Sequence, residues 1–400
     1  MKLFAQHGAL DGDKALRGAQ QGLIEGVIYS PRDLSLESLR SKLRDLSTDC
    51  PTAERLFDPQ FYTCFLAGGE ESRLGYLAKD YTEYLSKRRR AQLERESQVR
   101  SDLEATLTFQ KNLPVTSVIA PNILIPRSFN SIEAVIAKNF VRYAAETWNQ
   151  LQDPRELYAT VAISSQALRE RRELFEFLNE ITLLDERPAG IYLLVATPTA
   201  EARYDIFDPY VVGAYMLANH VLSLNGFSVV NGYSDVLTPF LGAAGGTTGA
   251  TGWWSNLRSF SLERFEPAAG GGRRPRPRYL SIGLLNRITH FELHSLRNRL
   301  PGILNQLSTD AGYPANNGSL PDAGGEMFQS WEALKTLTSR LATGDTMESL
   351  GKCNGALERA MRLYDNINIQ LDEKSNSDHL EGLQSGLTQF AALAEIDFTT

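Results

Sequence analysis

Eight short apolar runs, each leading into a turn signal, punctuate the first 260 residues of this chain, and most are followed by an amphipathic stretch. Few folds accept that rhythm. The runs are Lys2–His7, Gly26–Ser30, Arg55–Phe61, Thr116–Leu124, Leu157–Ser164, Gly190–Thr197, Phe227–Gly232 and Thr247–Gly252. Their lengths suit strands, and most of the intervening stretches are long enough to cross back over a sheet. The expectation is an α/β fold, a (β/α)8 TIM-type barrel. Such a barrel takes about 250 residues, so a chain of 400 leaves room for an appendage. The expected division is 1–265 for the barrel, with a helical insertion at about 67–114, and 266–400 for an Arg/Pro/Gly loop and a C-terminal α-helical module.

At 42% hydrophobic residues there is material for a large core. No apolar run approaches the roughly 20 residues that span a bilayer, so no membrane association is expected. The start, Met1 to His7, lacks the longer apolar region and small-residue cleavage site of a secretory signal and reads as the first strand. Cys50, Cys64 and Cys353 are too few and too scattered for a disulfide framework. A cytoplasmic location fits them. The net charge of −7 argues against a protein coated in nucleic acid, while leaving a local basic patch open.

Ser35 is placed to cap a helix in which Leu36, Leu39, Leu43 and Leu46 recur at helical spacing. A helix is expected from about Ser131 to Gln150, another from near Gln166, and a third from Asp208-Pro209, an N-cap followed by a first-turn proline. Pro121 cannot donate to a sheet ladder, so the fourth strand should stop there. Between Gly242 and Gly252 the glycines either let backbone approach a phosphate or a base, or merely fit tight packing. A break is expected at Thr309–Gly325, with helices on either side.

Barrels of this kind gather their functional groups at the carboxyl ends of the strands. His7, Tyr29, Asp58, Gln60, Asn122, Gln166, Thr197, Asn231, Tyr233 and Trp253 fall there. Asp58, in Phe57-Asp58-Pro59-Gln60-Phe61-Tyr62, is the candidate acid, base or nucleophile, because a carboxylate among aromatics can have a raised pKa. Asp before Pro also serves as a turn former. His7 is a candidate base or donor, though a lone His is often satisfied by a neighbour. Asp235, after the seventh strand, is the carboxylate available to pair with Asp58. Arg258, Arg264, Arg273, Arg274, Arg276 and Arg278 surround the eighth unit, where they suit a phosphate or RNA backbone beside stacking Trp253 and Trp254, or a protein interface. Lys87–Arg90 reads as a solvated helix face. His290 and His294 share a helical face with Glu292 between them, but the neighbouring loop supplies arginines and prolines where further ligands would be needed. No metal or cofactor is expected.

The order of these elements resembles the tRNA-guanine transglycosylase superfamily, including relatives found in bacterial antiviral and DNA-modification operons. The resemblance covers about residues 1–300: a barrel, an insertion after an early strand, a Gly-rich passage between the seventh and eighth strands, and a His-bearing helix beyond. It implies that Asp58, with Gln60 and Phe61, is the remnant of the base-contacting Asp-Ser-Gly-Gly-Phe-Gln motif, and that His290 or His294 stands at the metal-binding histidine. Where the family carries its nucleophilic aspartate, this chain has Ala250-Thr251-Gly252-Trp253-Trp254, and the zinc cysteines have no counterpart. Base exchange through a covalent intermediate needs that nucleophile. The resemblance therefore implies binding of a purine or 7-deazaguanine-type base or of nucleic acid, with Asp58, Asn122, Gln166, Asn231 and Trp253 as contacts. Two other readings stay open: a sugar or nucleoside hydrolase using Asp58 and Asp235, and a non-catalytic subunit binding a protein through its C-terminal helices.

Overall fold

The computed structural model describes residues 1–66, 73–199, 203–266, 277–314, 321 and 323–398. Nine strands form one parallel sheet: β1 (Lys2–Gln6), β2 (Gly26–Tyr29), β3 (Glu54–Phe57), β4 (Ser117–Ala120), β5 (Leu124–Ile125), β6 (Glu156–Ser164), β7 (Gly190–Ala196), β8 (Ser228–Asn231) and β9 (Thr248–Thr251). Their order is β3-β2-β1-β9-β8-β7-β6-β4, with the two-residue β5 pairing further along β6. Pairing of Lys2 with Thr248 through Ala5 with Thr251 bends this sheet into a nearly closed TIM-type barrel. The remaining seam lies between β3 and β4. There the Thr116 N–H donates to the Arg55 carbonyl at 2.9 Å, and the Arg55 N–H donates to Thr116 Oγ1 at 2.9 Å.

Each expected apolar run coincides with one of these strands, β3 and β6 beginning one residue earlier and most of the others ending short of the run. Every residue of β2, β4, β7 and β9 is buried, the pattern of strands covered on both faces. Helix starts follow local chemistry. Ser35 accepts from the Ser38 N–H, Ser131 from the Ala134 N–H, and Asp208 from the N–H groups of Tyr210 and Val211, with Pro209 in the first turn. Within the long excursion after β3, the helix Glu96–Lys111 packs against β4 and the helix Ile132–Gln150. It is the crossover helix of the third unit, so the material beyond the basic rhythm is confined to the segment before it. Lys87–Arg90 is not a uniform solvated face. Its Arg88 pairs with the buried carboxylate of Asp102 at 2.6 Å.

Beyond the barrel, β10 (Arg278–Ser281) and β11 (Asn286–Thr289) form an antiparallel hairpin with a small core of Tyr279, Leu284, Ile288, Leu293 and Ile303. Helices Ala323–Leu341, Thr346–Asp365 and Asp378–Leu393 follow. The last packs along Pro209–Leu224 so closely that a Cβ on Gly386 would stand 2.5 Å from that of Val212. The segment expected as a break, Thr309–Gly325, overlaps the 3-10 turn Ser308–Gly312 and the first residues of the helix Ala323–Leu341, and its residues 315–320 and 322 lie outside the described residues. Among the described residues no helix is long and apolar enough to cross a membrane.

Candidate functional site at the barrel mouth

Asp58 immediately follows β3 and is fully enclosed. Its Oδ2 accepts hydrogen bonds from Tyr62 at 2.9 Å and from Tyr192 on β7 at 3.3 Å, while its Oδ1 accepts from the Gln60 N–H at 2.9 Å. Burial pushes its pKa up to about 6 against the pull of these donors. Burial and the neighbouring Asp58 hold the Tyr62 and Tyr192 hydroxyls well above their usual range, so both remain protonated donors. Next to them stands Arg264. It donates to the Tyr233 hydroxyl at 3.1 Å and to Asp33 at 2.8 Å. Burial works against its charge, but the surrounding oxygens of Tyr233, Asp33, Tyr62 and Asp58 raise its pKa on balance.

The end of β1 contributes Gln6 and His7, neither of them exposed. Both polar atoms of the Gln6 amide and both ring nitrogens of His7 are buried without a hydrogen-bond partner. The Nε of Arg264 is in the same condition. An unmet buried polar atom costs about 1–3 kcal/mol, and native structures carry few of them. Gln6 neighbours the Tyr192 hydroxyl, and the His7 ring lies 5.4 Å from the Tyr29 ring and 5.8 Å, edge on, from that of Trp253. Asp11 stands 3.7 Å from His7 Nε2 and pairs with Lys42 at 2.6 Å. Burial alone would raise the Asp11 pKa, but His7 and Lys42 bring it down to about 2. His7 thus has an ionised carboxylate on one side and aromatic rings on two others.

A strap over 253–266 closes the mouth. Its Phe260 packs 4.9 Å from Tyr62 and 5.3 Å from Tyr233, and Phe265 lies 6.0 Å from Tyr62. The Thr197 N–H at the end of β7 donates to the Phe260 carbonyl at 2.9 Å, extending that strand by one bridge. Three non-glycine residues beneath or beside the strap, Gln60, Tyr233 and Asp235, hold left-handed backbone. Such positions cost about 1–3 kcal/mol each and persist only where the surroundings over-determine them.

Several residues expected at the mouth have other duties. Asn122 donates to the carbonyls of Ala137 and Thr160 and accepts from the Ile123 N–H, tying β4 to its neighbours. Asn231 forms a reciprocal amide pair with Asn219 of the helix behind it, at 2.8 and 3.0 Å. Gln60 bonds Ser30 and the Arg32 N–H. Gln166 is exposed at the start of the helix Ser165–Leu168. Trp253 donates to the Ala9 carbonyl at 2.7 Å and walls off His7. The glycine run is packing. A Cβ on Gly249 would fall 2.4 Å from Thr238, and one on Gly252 would fall 2.5 Å from the Gln6 carbonyl, leaving no room there for a phosphate.

Asp235 does not pair with Asp58. They follow strands four places apart in the barrel order, on opposite sides. Asp235 is gripped by both Nη groups of Arg287 from the hairpin and by Thr251 at 2.8 Å. Although burial raises its pKa, Arg287 lowers it below the usual value. Arg258 lies in the same cluster and pairs with Glu326 at 3.1 Å, also holding the carbonyls of Gly252 and Trp253. Arg278 pairs with Asp372, while Arg273, Arg274 and Arg276 lie outside the described residues. His294 is exposed and His290 half-buried; Glu292 between them turns inward to cap Thr289. Among the described residues no group of three or more His, Cys, Asp or Glu is placed to hold a metal ion.

Gln6 and Tyr192 went unmarked in the sequence, while Tyr62 was read only as a neighbour of Asp58 and Arg264 only as one of the arginines around the eighth unit. Only Gln6 carried a usable signal, an amide ending the apolar run Leu3-Phe4-Ala5. Comparison with protein-family models finds no match to this chain, and comparison with curated proteins finds none either.

Proposed function

We propose that the barrel mouth is an enclosed site for a small, planar, hydrogen-bonding ligand of nucleobase type, in keeping with the resemblance to transglycosylases. The reading rests on one observation: the Gln6 amide and the His7 ring are buried with no partner within hydrogen-bond distance, the nearest being the Tyr192 hydroxyl beside Gln6 and Asp11 at 3.7 Å from His7 Nε2. The amide offers two donor hydrogens and an acceptor, and His7 Nδ1 adds a further unmet polar atom, which complements the mixed edge of a purine or 7-deazapurine. Asp58, near pH 6 in its titration, is the group able to give or take a proton there. Asp235 is neutralised by Arg287 and stands across the barrel, so it does not serve as a nucleophile or base beside Asp58, and the nearer Asp33 is held by Arg264. The function proposed is therefore recognition of a base, free or at a nucleic-acid end, in the setting of nucleic-acid modification or antiviral defence, without base exchange.

The test is thermal unfolding of the intact chain with guanine, a 7-deazaguanine, hypoxanthine and a short RNA. A ligand at a hundredfold its Kd stabilises by about 2.7 kcal/mol. Saturable stabilisation by a base, lost in Gln6→Leu and kept in Asn122→Ala, is the expected result. Absence of any shift between pH 5 and 8 would remove the reading. It would favour the second one, a non-catalytic protein-interaction subunit, for which the closure of the mouth by the strap already speaks.

A further inference from the structure

We infer that the strap over 253–266 is a gate to this site, latched by Arg264, and that Arg264 brings a ligand-binding donor with it when it closes. This rests on the proposal that the mouth takes a ligand. Gln6 and His7 have no exposed surface, Asp58 and Tyr62 almost none, so nothing reaches them with the strap in place. Regular sheet or helix does not hold it. The strap consists of two short 3-10 turns and the bridge at Phe260. Its hydrogen bonds to the rest of the molecule join Trp253 and Trp254 to the Ala9 carbonyl, Arg258 to Glu326, Thr197 to Ser259 and Phe260, Ser261 to the Pro198 carbonyl, the Arg73 N–H to the Phe265 carbonyl, and Arg264 to Asp33 and Tyr233. Trp253, Leu257, Phe260 and Phe265 are buried beneath it.

Arg264 is the only charged group among these that reaches the tyrosines around Asp58. Its two Nη groups are spent on the latch, to Tyr233 and Asp33, and its Nε–H is buried and unpaired. A cation so placed suits an acceptor oxygen on the ligand, such as the exocyclic carbonyl of an oxopurine. Lifting the strap would withdraw this donor together with the Phe260 and Phe265 rings. Closing therefore assembles the site and opening dismantles it, the arrangement by which lids commit a bound molecule.

Amide hydrogen exchange on the full chain, read by mass spectrometry, tests the gate without needing a ligand. Strap amides should exchange faster than those of β7, and Asp33→Asn should speed the strap by about tenfold or more, the scale of one lost charge-assisted hydrogen bond, leaving β7 unchanged. Should Asp33→Asn fail to fold, Thr197→Val removes the hydroxyl bonds to Phe260 and Ser259, keeps the backbone one, and should speed the strap in the same direction by a smaller factor. Strap and β7 exchanging together, or both accelerated equally, would overturn the gate. With added guanine, slowing of the strap that is lost in Arg264→Lys supports the delivered donor, and slowing retained in that variant overturns it. A strap that opens independently but ignores guanine and 7-deazaguanine upholds the gate and defeats the base reading instead.

Discussion

Two buried polar clusters sit near the carboxyl ends of these strands, and they treat the same residue type in opposite ways. In the cluster shared with the C-terminal hairpin, Asp235 meets both Nη groups of Arg287, and its pKa is lowered. At the mouth, Asp58 meets only neutral donors, and its pKa rises to about 6. Neighbouring Gln6 and His7 have no partner within hydrogen-bond distance. A cluster that closes its own hydrogen bonds apart from a single Nε–H, that of Arg287, is a fastener. One that leaves several unmade carries a cost that folding alone does not explain, and a ligand is the physical reason to keep it.

The sharpest way to break this contrast is Arg287→Met. Leaving Asp235 buried and unpaired should cost about 3–5 kcal/mol in urea unfolding, and adding Asp235→Leu should restore much of it. A loss below about 1 kcal/mol would show that the two clusters do not differ in kind.

Next in size is the pH dependence. The folded pKa of Asp58 lies above the usual 3.8, so its contribution is fully present below pH 4 and is lost as pH rises through about 6. The loss is on the order of 2–3 kcal/mol, and Asp58→Asn should flatten that window. Asp11, held at about 2, acts in the opposite sense, its contribution disappearing as pH falls from about 4 toward 2. Urea midpoints across pH 2.5–8 read both, and a wild-type curve identical to that of Asp58→Asn would refute the first.

Gln6→Leu should raise stability by about 1 kcal/mol, since it removes two unmet polar atoms. That sign separates a binding residue from a structural one, and a clear loss of stability would place Gln6 among the fasteners. Smallest of all, exposed Lys87→Ala should stay within about 0.5 kcal/mol, whereas Arg88→Ala, which strips the buried Asp102 of its partner, should exceed it on the same measurement.

The strands and helix starts were legible because their causes are local. Ser35, Ser131 and Asp208 cap the helices they precede, and the apolar runs are short and regularly spaced. Asp58 was legible too, as a carboxylate among aromatics at a strand end. The partners were not. Arg264 reaches Asp33, 231 residues away, and Asn231 turns to Asn219 behind the sheet, not toward the mouth. Strand position assigns a residue to the rim but does not say whether its polar atoms are already consumed. Asn122 and Gln60 read as binding groups for that reason, while Gln6, within the barrel, did not.

The pairing of β1 with β9 also bears on how the molecule is made. Lys2 to Ala5 bond to Thr248 to Thr251, so the barrel's first strand waits for its last. At roughly 5–20 residues per second, one edge of β1 stays unpaired on the ribosome for tens of seconds. During that interval Leu3, Phe4 and Ala5 form an apolar strand edge open to any other extended chain, so the step most exposed to misassembly is the one that places Gln6 and His7.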